Sequence, residues 1–182
     1  MPHARQTTKS SEQKKTKPIA RLNQESDIVD LLLEDHKPLK KLIKVMKSED
    51  STPEEKFDAF EEFAPLLIAH AKPEEQVLYA FMKQDDDLRE EGFEGEVEHG
   101  LADQMVEEAK RTSDEDLQSA RIKVLAELVE HHIKEEESTL LPDFKRHSNK
   151  EERREMGHEY LDAKIEFENI NSVGAPSETE TH

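Results

Sequence analysis

The sequence predicts an all-α fold: an up-down-up-down four-helix bundle with an additional C-terminal helix and disordered tails. Three observations carry that prediction. Apolar residues recur at helical spacing almost throughout, and no segment shows the period-two alternation of a strand. Only 5 Gly and 8 Pro occur in 182 residues, so long uninterrupted elements are possible. The amphipathic stretches are joined by short turns, which makes successive helices antiparallel neighbours.

The elements follow in order. Residues 1–25 read as a disordered basic tail, because positions 1–24 hold six Lys or Arg against one Glu, about +5. Residues 26–145 form the bundle, 146–171 the additional helix and 172–182 a second disordered tail. Ser26 stands as N-cap of the first helix, whose stripe is Ile28, Leu32, Leu39, Ile43 and Met46 with His36 as its polar member. The turn "SEDSTPEEK" ends it. Thr52 and Glu55 then read as a capping box, with Pro53 at the first position of a second helix reaching about Lys83. A kink is expected there at Pro65 and Pro73. A charged connection, "DDDLREEGFEG", leads to a third helix with His99, Ala102, Val106 and Ala109. "RTSDEDLQ" caps a fourth, carrying Val124, Leu125, Leu128, Val129, His132 and Leu140 and stopping at Pro142. Ser148 and Glu151 suggest a capping box for a fifth, more polar helix over roughly 150–169.

Composition narrows the function. An apolar fraction of 33% against 38% charged describes a thin core inside a heavily solvated shell. The net charge is −18, about −23 outside the basic arm, which argues against nucleic acid as the main partner. No apolar run approaches the ~20 residues that cross a bilayer, and the N-terminus lacks the apolar segment of a signal peptide. A soluble, cytoplasmic protein without a membrane partner is expected. With no Cys, any metal must be held by imidazole and carboxylate, which leaves 9 His to explain.

A repeat explains four of them. "HAKPEEQVLYA" (70–80) matches "HIKEEESTLLP" (132–142) at His, Lys, Glu, Glu and Leu without a gap. His36 lies 34 residues before His70, and His99 lies 33 before His132, with turns midway at 49–53 and 112–115. Positions so spaced face one another across an antiparallel hairpin. The chain is thus two hairpins of one kind, and His36, His70, Glu74, His99, His132 and Glu136 converge at one level of the interior. Buried without partners, such groups are prohibitive; a cation removes the penalty. Four imidazoles and two carboxylates exceed one tetrahedral zinc but suit two octahedral ions, two His each, bridged by the Glu carboxylates. Imidazole with carboxylate and no sulfur favours iron or manganese by ligand type and availability.

In "EDHKPLKKL", "HAKPEEQVLY", "EVEHGLADQM" and "HHIKEEESTLLP" the chain resembles the hemerythrin-like HHE cation-binding domains, over about residues 26–145. The resemblance implies a four-helix bundle with two non-haem, carboxylate-bridged iron ions that binds or reacts with dioxygen, peroxide or nitric oxide, or handles iron. The sequence departs from oxygen carriers of that kind at Asp103, where they have a second His one turn after the third-helix ligand. Redox turnover or sensing is then favoured over reversible carriage. Asp103 either ligates or stands outside, and Glu75 and Glu137 read as solvent-facing or outer partners. His131 competes with His132, but only His132 has Glu four residues on. His3, His147, His158 and His182 read as surface or capping residues. A ferritin-like scheme from Glu96 with His99 and Glu155 with His158 leaves His36, His70 and His132 unexplained. Enzyme or metal-responsive sensor both remain open, and no residue pattern names a protein partner.

Overall fold

In the computed structural model, residues 26–173 are described, and among them are five helices and no strand. The expected tail at 1–25 lies outside the described residues, as does 174–182. Helix α1 spans Ile28–Lys47, and its N-cap is Asp27 rather than Ser26. The Asp27 carboxylate accepts from the Val29 N–H at 3.0 Å and from Arg153 at 2.8 Å, so the residue that caps α1 also ties it to the last helix. Helix α2 starts at Pro53 behind the reciprocal Thr52–Glu55 capping box and runs as α-helix to Glu74. It then passes through a π-helical turn, Glu75–Tyr79, and ends as Ala80–Met82.

Helix α3, Arg89–Arg111, begins inside the charged stretch expected as a connection. Asp85 accepts from the Asp87 and Leu88 N–H groups and turns the chain early, and Leu88 is buried as an anchor. Helix α4 starts behind Asp114 as Glu115–Glu135, passes a second π-helical turn at Glu136–Leu140 and continues as Leu141–His147. Pro142 therefore does not stop it. The proline falls in the first turn after the π-helical segment, where a missing N–H costs least. Helix α5, Lys150–Val173, is capped by Asn149 rather than Ser148. The Asn149 side chain accepts from the N–H groups of Glu151 and Glu152, Glu152 returns to the Asn149 N–H, and Ser148 instead donates to the Phe144 carbonyl.

Both expected proline positions lie within the α-helical part of α2, and the departure from α geometry comes after Glu74. Proline is not its common cause. The second copy makes a π-helical turn that starts at Glu136, with no proline between His132 and that residue. The turn belongs to the repeat itself.

Helices α1 to α4 form the bundle, α1 against α2 and α4, and α3 against α4 and the π-helical end of α2. Two apolar clusters fill it. One, with Leu39, Ile43, Phe60, Phe63, Ile122 and Leu125, lies toward the turns at 48–52 and 112–114; the other, with Ile28, Leu32, Leu78, Met82, Phe144 and Tyr160, fills the opposite end. Not every expected stripe residue is inside: Val124 is exposed. Helix α5 lies across α1 and α2 and buries Met156, Tyr160 and Ala163.

Gly157 makes that docking possible, since a Cβ there would stand 2.0 Å from the Ser26 carbonyl oxygen, a backbone atom with nowhere to go. Gly157→Ala is expected to destabilise the fold by roughly 1–3 kcal/mol, the usual cost of forcing an extra methyl into a packed contact. A thermal melt of the variant beside the parent, each metal-free, checks this.

Candidate metal centre

Between the two apolar clusters lies one polar layer. His36 of α1, His70 and Glu74 of α2, His99 of α3, and His132 and Glu136 of α4 are all buried, none more than 4% exposed. They are the buried polar or charged side chains of the described core. The four-residue spacing within α2 and α4 puts each His and its Glu on one face; Glu74 lies just before its π-helical turn and Glu136 opens the second.

The six sort into two groups that exchange carboxylates between hairpins. His36 and His70 stand with Glu136, and His99 and His132 with Glu74, each group offering ligand atoms within 4.8 Å of one another. Glu136 Oε2 lies 3.3 Å from His36 Nε2 and 3.5 Å from His132 Nε2. Glu74 Oε2 lies 3.3 Å from His70 Nε2 and 3.8 Å from His99 Nε2. Each carboxylate thus reaches one imidazole of each hairpin.

Every imidazole is held from outside by its Nδ1. His36 meets Glu137 at 3.0 Å, His99 meets Glu75 at 3.2 Å, and His132 meets Glu98 at 2.6 Å. His70 donates to the Tyr160 hydroxyl at 3.2 Å, which donates in turn to Asp35 at 2.7 Å. These bonds assign the proton to Nδ1 and leave the Nε2 lone pairs facing inward, as a metal ligand requires. Glu75 and Glu137 are therefore outer partners. Asp103 stands outside the layer too, paired with Lys72 at 2.7 Å. His131 is exposed beside Glu135, whereas His132 is inside.

The interior of the layer is short of protons and positive charge. His36 Nε2, His70 Nε2, both Glu74 oxygens and Glu136 Oε2 are buried without a hydrogen-bond partner. Such orphaned atoms cost about 1–3 kcal/mol each, more for charged groups. His99 Nε2 and His132 Nε2 face one another at 3.0 Å, where two lone pairs repel unless a proton or a cation lies between them. The residues fit a cation by this test: inward donors are unsatisfied, and the outward atoms of the same side chains are satisfied.

The electrostatics agree. Burial, then the adjacent Glu136 charge, pushes the Glu74 carboxyl well above its ordinary range, so the metal-free pair of carboxylates holds a proton. Burial pushes the His70 imidazole down to about 4 and keeps it neutral. Burial acts in the same direction on His132, but Glu136 and Glu98 outweigh it and raise that imidazole above its ordinary value. On Asp35, burial is overcome by the nearby His70 imidazole and by Lys164, and the carboxyl falls well below its ordinary range.

Two residues with no signal in the ligand spacing complete the surroundings. Tyr160 belongs to α5, outside the repeat. Tyr79 closes the π-helical turn of α2 and donates its hydroxyl to Glu136 Oε1 at 2.8 Å. Burial, then the charge on Glu136, holds its phenol well above the ordinary tyrosine range. A cavity of about 260 Å³ reaches the layer at His132 and Glu136, passing Gly95 and Glu98 from a mouth that includes Glu91, Glu94, Glu135 and Asp143.

A four-helix bundle with a buried imidazole–carboxylate layer is the class of protein that fold and site define. The model of the hemerythrin HHE cation binding domain matches residues 27–144, more than half of the chain, and the chain belongs to that family. Comparison with curated proteins and with solved structures gives no match. Helix α5, and Tyr160 with it, lies beyond the matched residues.

Cation uptake by the metal-free protein is expected to release protons near neutral pH. The raised groups, Glu74 and His132, must lose theirs to ligate, whereas His70, already neutral above about 4, has none to give. Affinity then falls as pH is lowered. Calorimetric titration with ferrous ion in buffers of different ionisation heat measures the release, and Glu74→Gln should reduce it even at saturating metal.

Proposed function

We propose that the layer holds two iron ions, one between His36, His70 and Glu136 and one between Glu74, His99 and His132, and that the protein binds or reacts with dioxygen, peroxide or nitric oxide there. The carboxylate exchange carries this reading: each Glu approaches an imidazole of both groups, which supports a joint centre over two separate one-ion sites. Neutral imidazole with carboxylate and no thiolate is a donor set of intermediate hardness that suits iron or manganese. Iron bound there would supply one-electron redox chemistry, which no other residue cluster of the bundle interior offers.

What the chain itself contributes is support, selection and exclusion. The outer carboxylates and Tyr160 fix each ring, so the ligand geometry is set before the ion arrives. The apolar clusters above and below keep bulk water away. A cavity of about 260 Å³ is small beside the 300–1,000 Å³ usual for organic ligands, so diatomics and peroxide fit the route better than larger substrates do. Its acidic mouth favours cations and neutral molecules over anions.

A second reading has its own observation. The His70–Tyr160–Asp35 chain links the layer to α5, so filling the site would also steady that helix and whatever binds it. Hydrogen exchange of α5 with and without metal separates the two: unchanged protection argues for chemistry alone.

Aerobically purified protein is expected to carry about two irons per chain with near-ultraviolet oxo-bridge absorption. The His70→Ala, His132→Ala double variant should lose both. Metal-free protein that stays folded and refuses iron under anaerobic reconstitution would overturn the reading.

A further inference from the structure

We propose that Tyr79 is a seventh donor of the centre, its phenol oxygen ligating the ion held by His99 and His132. The ion comes from the reading above; the placement of the phenol is an independent observation. Donor atoms around one octahedral ion, at bonds of about 2.1 Å, stand about 3 Å apart along each edge. The Tyr79 oxygen lies 2.8 Å from Glu136 Oε1 and 3.5 Å from His132 Nε2, and that nitrogen lies 3.0 Å from His99 Nε2. It occupies the inner side, among the ligand atoms. Tyr160 differs in kind, because its hydroxyl meets the outward Nδ1 of His70.

Two devices in the chain put the phenol there. Tyr79 follows Glu74 by five residues, which in a regular α-helix is well past one turn and off the ligand face. The π-helical turn Glu75–Tyr79 bonds residue i to i+5 and takes up the extra residue, so Tyr79 returns to the face of Glu74. The space is made by Gly95 of α3: a Cβ at that position would stand 2.5 Å from Tyr79 Cζ and 2.6 Å from its hydroxyl oxygen. Tyr79 is fully buried. The second copy has the same turn but carries Leu141 at the matching position, so the donor is added to one half only.

The chemistry is balanced by one proton. In the metal-free molecule the phenol donates its hydrogen to Glu136. On ligation that proton leaves to solvent, the phenolate oxygen joins the ion, and Glu136 is released from the hydrogen bond to bridge. An anionic oxygen close to an ion stabilises a trivalent charge more than a divalent one by Coulomb attraction. Tyr79 thus biases its half of the centre toward ferric iron.

The test loads metal-free, full-length protein with ferrous ion, oxidises it in air and measures iron content, the visible spectrum and resonance Raman scattering. The expected result is a visible phenolate-to-iron absorption with enhanced tyrosine ring modes. Tyr79→Phe should lose both while still taking up iron, and Gly95→Ala, which fills the phenol's space, should weaken them. The chain has 2 Tyr, so ring modes that persist in Tyr160→Phe assign the ligand to Tyr79 even if Tyr79→Phe fails to fold. Iron uptake without tyrosine ring modes, or modes that Tyr79→Phe retains, overturns the proposal and leaves the iron reading standing. Failure to take up any iron overturns both.

Discussion

Two carboxylates side by side in a bundle core are the constraint from which the rest of this structure follows. Glu74 and Glu136 are both buried among imidazoles, and the inward nitrogens of His36 and His70 have no hydrogen-bond partner. Two like charges in a medium of low dielectric cannot both stand without compensation. A proton on Glu74 relieves part of the repulsion; a cation between the groups relieves all of it, and satisfies the orphaned atoms as well. The polar layer is therefore a cost to the fold that a bound cation would offset. Its neighbours, two apolar clusters and no other buried charge among the described residues, provide the folding energy that the layer does not.

The repeat extends outward from the ligands in a way that braces one hairpin with the other. The residue after each ligand Glu reaches across the bundle: Glu75 holds His99, and Glu137 holds His36. The residue before each first-position His serves its own hairpin: Glu98 holds His132, and Asp35 receives His70 through Tyr160. Lys40 and Lys72 then neutralise Glu137 and Glu75 from the solvent side. Two crossed contacts of this kind fix the relative rotation of the hairpins, so the layer's geometry is set by both copies together.

The fold and the six-residue cluster were legible in the sequence, because helical periodicity and the doubled His-x-x-x-Glu are properties of spacing alone. The outer partners were legible in position but not in role. Glu75 and Glu137 stand one residue beyond the ligand face, and only the packed bundle shows that they lean back across it. The π-helical turns were not legible, since periodicity reading assumes 3.6 residues per turn. For the same reason Tyr79 was invisible as a site residue: its offset from Glu74 points it elsewhere until the turn is widened. Tyr160 escaped notice because its helix looked polar, and one buried face of Met156, Tyr160 and Ala163 is a thin signal among charges. Where short-range capping decided an end, the sequence misled by one residue, at Asp27 for Ser26 and Asn149 for Ser148, since adjacent capping residues compete and geometry chooses between them.

The two halves of the layer are built alike and finished differently. At His70, α5 closes the bundle: Tyr160 and Asp35 cover the imidazole, and Lys164 pairs with Asp35 behind them. At His132, α3 carries Gly95 and Glu98 instead, and the cavity runs from the surface to that imidazole and to Glu136. The cavity reaches the half that also faces Tyr79, while Tyr160 and Asp35 cover the other at His70. A repeated set of buried His and Glu has in this way been given one open and one covered face, and the asymmetry comes from residues outside the repeat's shared pattern: Tyr79, Gly95 and the fifth helix. Like side chains at the middle of the layer therefore stand in unlike surroundings, covered by α5 at His70 and open to a cavity at His132.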